Sequence, residues 1–149
     1  MIPQYFKGED FTEEVWVELV TDFADHPVCI LSQEKSYEIV INTSAELSFA
    51  YYTDIDTYVE EPTDPLTTLV LNQWYHFAIV YDAALPQIQV FIDAVEVYSN
   101  QITLPLYVGN HNLLYHVTEV GSPGGFYFTN YRFWNVKMTD AELLILKDL

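Results

Sequence analysis

The chain has 149 residues, half of them hydrophobic, and sets 22 Asp and Glu against 5 Lys and Arg for a formal charge of −17. That length and apolar content fit one domain, residues 1–149, with a sizeable core and no room for a second. Nucleic acid and anionic lipid bind through clustered Lys and Arg that displace counterions, so this acidic field excludes them as partners. No apolar run is long enough to insert into a membrane.

The first ten residues, MIPQYFKGED, contain no apolar stretch of signal-peptide length, so no cleavable signal is expected in the chain. Aromatic and β-branched runs then recur at short spacing, broken by Asp, Asn, Pro and Gly, which is the pattern of many short antiparallel strands. Strands are predicted near residues 15–20, 28–31, 37–41, 46–52, 66–71, 74–81, 87–91, 95–98, 106–108 and 126–134. Cys29 is the single cysteine and sits between Val28 and Ile30, so no intrachain disulfide forms and the thiol is expected to act as a small buried hydrophobe.

The 74–81 strand is the most informative. Trp74, His76, Ala78 and Val80 alternate with Tyr75, Phe77, Ile79 and Tyr81, and because strand side chains point to opposite faces in turn, both faces carry bulk and need cover. His76 is expected to be a hydrogen-bonded structural histidine. In the next strand Ile88, Val90 and Ile92 share one face while Gln87, Gln89, Phe91 and Asp93 share the other, the signature of a sheet with a solvent side. One helix is predicted, at the end: Thr139 followed by Glu142 has the Thr-x-x-Glu form that satisfies the first unpaired backbone N–H groups. Leu143, Leu146 and Leu149 follow at helical spacing and are expected to dock on the sheets.

Two segments are predicted as loops that hold the binding residues, because a rigid sheet positions loop side chains without disturbing the core. Residues 53–65 carry Asp54, Asp56, Glu60, Glu61 and Asp64 around Tyr58. Residues 110–125 carry His111, Asn112, His116 and a Gly-rich stretch.

A Trp-x-His-x-Ala-x-x-Tyr-Asp strand followed by a Phe-Ile-Asp-x-x-x-Val strand resembles the laminin-G-like and pentraxin-like branch of the concanavalin A-like lectin/glucanase superfamily. DFTEEVWVELV at 10–20, ILSQ at 30–33, LYVGN at 106–110 and the closing GFYFTNYRFWNVKMTDAEL at 125–143 succeed one another in the family's order, so the resemblance covers nearly the whole chain. It implies an all-β fold, a two-sheet antiparallel β-sandwich of concanavalin A-like jelly-roll type with a short C-terminal helix. Two departures stand out: Ala94 replaces the usual Gly of the turn after Asp93, and Phe128-Thr129-Asn130 replaces the usual Ile-Asp-Glu. Many relatives hold a structural Ca2+ between the opening loop and the final strand, which by resemblance falls to Glu9, Asp10 and Asn130, with Asn130 lacking the charge of the usual acidic ligand.

Glucanase relatives need two carboxyl groups at a fixed separation, one to protonate the leaving oxygen and one to attack or activate water. No Glu-x-Asp-x-Glu spacing lies on a predicted strand, and Glu13 and Glu14, being adjacent, go to opposite faces. The chain is therefore expected not to be an enzyme. Sugar rings pack their C–H faces on aromatic rings and exchange hydrogen bonds with Asn, Asp and Gln. Candidate contacts are Tyr51, Tyr52 and Tyr58 near the acidic loop, and Tyr107, Asn110, His111, Asn112 and Tyr115 near the other. The acidic field argues against sulfated or sialylated glycans, leaving neutral glycans or protein neighbours as partners. The expected function is surface recognition or adhesion outside cells or on a virion, in several copies, with a purely structural decoration protein as the alternative and a glycoside hydrolase third.

Overall fold

The computed structural model describes residues 9–20, 28–33, 36–53, 57–102, 112–117 and 126–149. Ten strands and one helix follow in order: β1 (Phe11–Leu19), β2 (Val28–Gln33), β3 (Tyr37–Ile41), β4 (Leu47–Tyr52), β5 (Tyr58–Pro62), β6 (Trp74–Asp82), β7 (Gln87–Ile92), β8 (Val95–Gln101), β9 (Asn112–Val117), β10 (Phe126–Trp134) and α1 (Asp140–Lys147). They form two five-stranded antiparallel sheets, β10-β1-β6-β7-β8 and β5-β4-β3-β2-β9. The expected sandwich with a C-terminal helix is the fold observed.

Alternation along each strand builds the space between the sheets. Phe11, Val15, Val17 and Leu19 of β1 meet Tyr37, Ile39 and Ile41 of β3 and Phe49 of β4, with Phe77, Ile79, Ile88 and Val90 beside them. Each such side chain contributes about 1.5–3 kcal/mol by leaving water. Phe11 anchors a ring stack, with Tyr37, Tyr81 and Phe133 centred 5.5 to 5.7 Å from it.

The outer side of the first sheet is covered over part of its area by α1. Leu143 and Leu146 pack on Ala78, Val80 and Phe91, with Trp134 and Met138 at the margin. The predicted capping box is present: the Thr139 hydroxyl accepts from the Glu142 N–H and the Glu142 carboxylate accepts from the Thr139 N–H. Leu149 does not join the stripe. The helix ends at Lys147 and Leu149 is 75% exposed beyond it.

Three other expectations are corrected. Residues 66–71 form no strand; Thr68 alone bridges to Glu46, while the N–H groups of Leu69, Val70 and Asn72 go to the Ala45 carbonyl, the Tyr75 hydroxyl and the Leu19 carbonyl. The acidic stretch 53–65 contains β5, and the stretch 110–125 contains β9, which pairs with β2. Residues 106–108 lie outside the described residues.

The Asp93-Ala94 turn that joins β7 to β8 has both residues at positive φ, 52° and 64°. This two-residue left-handed turn matches the twist of the strands it joins, and it favours Gly where Ala94 stands.

Candidate functional site

The outer face of the second sheet carries the side chains that chemistry can use. On β3 and β4, Glu38, Val40, Ser48, Ala50 and Tyr52 alternate with core residues, and so face outward. Register sets them in rows: Glu38, Ala50 and Glu60 lie side by side across β3, β4 and β5, and Tyr52 lies opposite Tyr58. Cys29, Val40 and Ala50 make a floor of small apolar groups. Tyr52 and Tyr58 form an edge-to-face pair with centroids 5.3 Å apart, a geometry that aligns the positive ring edge with a negative ring face.

The carboxylates of this face are tied in place. Ser48 Oγ donates to Glu60 Oε1 at 2.5 Å. The Tyr58 hydroxyl donates to Glu38, and partial burial followed by the Glu38 charge pushes its pKa well above the usual phenol value. Burial first, and then the Glu38 and Glu60 charges, push the Cys29 thiol up as well, so it stays protonated and is no nucleophile. Beside the row a depression of about 350 Å³ is lined by Asn42, Glu46, Ser48, Glu60, Pro62 and Leu66. The face thus offers an apolar floor, two ring faces and fixed acceptors, a set suited to a polyhydroxylated ligand.

Among the sequence candidates, Tyr52 and Tyr58 come together on this face, whereas Tyr51 points inward and is buried against Phe49. Asn112 and Tyr115 lie on β9, at the register positions of Gln33 and Ile30. Tyr107, Asn110 and His111 lie outside the described residues. Glu38, Ser48 and Glu60 sit where the sequence pattern had given no reason to group them, because only strand register makes them neighbours.

The calcium set does not converge. Asp10 Oδ1 accepts from the Ala83 N–H at 2.8 Å, and Glu9 is exposed. Asn130 lies at a bulge of β10 opposite Val15, with φ 53°, five positions along β1 from Asp10. At about 3.3 Å per residue that is about 16 Å, too far for one ion's coordination shell of oxygens at 2.3–2.6 Å. Glu9, Asp10 and Asn130 therefore do not fit a shared calcium site. Among the described residues no three His, Cys, Asp or Glu side chains converge on a metal position.

The two acids at the centre of β1 are fully buried on opposite faces, as their adjacency requires. Glu13 lies between the sheets and accepts from the hydroxyls of Tyr37 and Tyr131, each at 2.8 Å; burial outweighs these bonds and pushes its pKa up to about 7. Glu14 faces outward beneath the helix edge. His76 Nε2 lies 2.7 Å from Oε2, Arg132 Nε forms an ion pair with Oε1 at 2.5 Å, and Trp134 Nε1 donates at 3.4 Å. The Arg132 Nε–H is not aligned on the carboxylate as a hydrogen bond, so this contact is charge attraction. His76 is the hydrogen-bonded structural histidine expected. The two carboxyls point away from each other, one to each side of the sheet, and do not form the facing pair that glycoside hydrolysis uses.

The chain belongs to the concanavalin A-like lectin/glucanases superfamily: the laminin-G family model Laminin_G_3 matches residues 3–144. No curated protein matches the sequence. Among solved structures, the fold is similar to that of the botulinum neurotoxin serotype C1 binding domain (TM-score 0.65, 10% identity, 94% of this chain and 36% of that one). A botulinum neurotoxin DC binding domain in complex with rat synaptotagmin II is similar at TM-score 0.66 and 10% identity, over 94% of this chain and 35% of that one. A third, from botulinum neurotoxin type C, whose cell entry is dependent upon interaction with two ganglioside molecules, is similar at TM-score 0.64 and 10% identity, over 94% of this chain and 35% of that one. The chain spans about a third of the length of these structures, and the likeness is one of fold.

Proposed function

We propose, on the premise of that superfamily membership, that the chain is a non-catalytic recognition module that binds neutral glycans on the outer face of its second sheet. The carrying observation is the Tyr52 and Tyr58 ring pair beside Glu38 and Glu60, above the floor of Cys29, Val40 and Ala50. Ring faces take the C–H faces of a sugar, and the fixed carboxylates accept from its hydroxyls. An acidic surface repels sulfated and sialylated chains, so selection falls on uncharged sugars.

A depression this open gives weak single contacts. Display in several copies outside a cell or on a virion would add them through effective concentration. The structural neighbours that interact with gangliosides and with synaptotagmin support a recognition role, with either a glycan or a protein as target.

The test is a neutral-glycan array probed with and without Ca2+, using wild type and Tyr58→Ala. Binding by wild type that falls about tenfold in the variant supports the reading. Silence under both conditions overturns it in favour of a decoration protein that contacts only protein neighbours. Release of reducing sugar from neutral polysaccharides would overturn it in favour of a hydrolase.

A further inference from the structure

The opposite face of the molecule carries a second aromatic feature. On the outer side of the first sheet, Glu18 of β1 lies between Tyr127 of β10 and Trp74 of β6 in one cross-strand row. Tyr127 is 59% exposed and Trp74 39%, although both lie in sheet strands. Helix α1 covers the other part of this face, over Ala78, Val80 and Phe91. Trp16, half-buried and two residues before Glu18, leans on the His76 ring at 5.4 Å and closes the row on the helix side.

Strand spacing sets the dimensions. Neighbouring strands lie about 4.8 Å apart, which puts Tyr127 and Trp74 about 10 Å apart with Glu18 midway. A cation on the Glu18 carboxylate is thus within the roughly 6 Å reach of both rings. Among the described residues the cations on this face are engaged: Arg132 pairs with Glu14 and donates to the Leu146 carbonyl at 3.2 Å, Lys137 pairs with Asp82, and Lys147 lies 3.9 Å from Asp148. Among the described residues the Glu18 side chain makes no hydrogen bond and no ion pair.

We infer that the row Tyr127, Glu18 and Trp74 is a docking platform for a basic segment of a protein partner, which seats an Arg side chain on Glu18 between the two rings. Arg fits better than Lys because its planar guanidinium stacks on aromatic faces while forking onto a carboxylate. Charge selects the occupant: a chain of formal charge −17 draws basic segments in and repels a second copy of itself. This site stands on the other sheet from the glycan face and does not depend on it.

The test titrates the intact protein with the blocked peptide (Gly-Arg)3 and with its uncharged citrulline counterpart, following the indole N–H signals by NMR. The Trp74 signal is expected to shift with the Arg peptide and not with citrulline. Glu18→Gln is expected to weaken binding about tenfold, and Trp74→Leu, which keeps the charge, to weaken it by a similar factor. Glu96→Gln removes the same unit charge from an exposed position on β8, three strands away, and is expected to change affinity less than about twofold. Equal weakening by Glu18→Gln and Glu96→Gln would overturn the inference, leaving only a diffuse field. Equal binding of the citrulline peptide, or a Trp74 shift caused by a neutral hexasaccharide, would overturn it too.

Discussion

Glu13 and Glu14 are consecutive and equally shut off from water, yet the two sides of the first sheet accommodate them by different means. Between the sheets, burial with no cation beside it among the described residues favours the neutral acid of Glu13, and its pKa climbs to about 7 against two phenolic hydroxyls that lower it. Beneath the helix edge, Glu14 meets a guanidinium, an imidazole and an indole. One face holds its acid between hydroxyls, the other beside a guanidinium. The lesson is that two carboxyls buried alike meet different company, because neighbouring positions of a strand look to opposite sides of the sheet.

The comparison breaks most sharply at Arg132. Replacing it with Met leaves the Glu14 carboxylate buried without its positive partner and is expected to cost about 3–5 kcal/mol, read as a lower urea midpoint. The double variant Glu14→Leu with Arg132→Met should recover most of that loss. A midpoint unchanged in the single variant would show that Arg132 contributes nothing to holding Glu14 in the fold.

The next largest effect is the pH dependence from Glu13. Its folded pKa of about 7 exceeds the ordinary 4.5, so the folded state holds a proton that the unfolded chain releases over that interval. Stability from this group is therefore fully present below about 4.5 and is lost as pH rises toward and through 7, by about 3 kcal/mol in all. Glu13→Gln should flatten the slope across that window in urea titrations, and a slope that persists would assign it elsewhere.

Smaller effects sharpen the contrast by leaving both acids intact. Thr139→Ala removes the hydroxyl that caps α1 and should cost about 1 kcal/mol, loosening the cover of the Glu14 side without changing the Glu13 pH slope. Ala94→Gly relieves a left-handed position in the β7-β8 turn, on neither side of the comparison, and should raise stability by about 1 kcal/mol in thermal melts.

What could be read from the sequence was whatever leaves a local period. The 74–81 alternation placed β6 and required cover on both faces, and the Thr139 to Glu142 spacing placed the helix start. Strand β5 escaped notice because its acids hide the alternation: Glu60 faces outward to Ser48, while Glu61 turns to the Tyr98 hydroxyl and the Asn100 amide. The 66–71 run looked like a strand from its apolar content, but its N–H groups go to scattered acceptors and Val70 and Leu71 are exposed. The companions of the buried acids lie 24 to 120 residues away, at separations where no local pattern speaks. The face proposed for glycans was half legible for the same reason: its Tyr residues advertise themselves, and the Glu38 to Glu60 row exists only after three strands have paired.

Strand β5 ends the second sheet with two consecutive carboxylates, one on each face, and Pro62 as its last residue. A rim built this way repels a further strand by charge and lacks one of the donors such a strand would need. A protein rich in aromatic β-structure is thereby guarded on that border against runaway polymerisation, so high local crowding of copies need not end in fibrils.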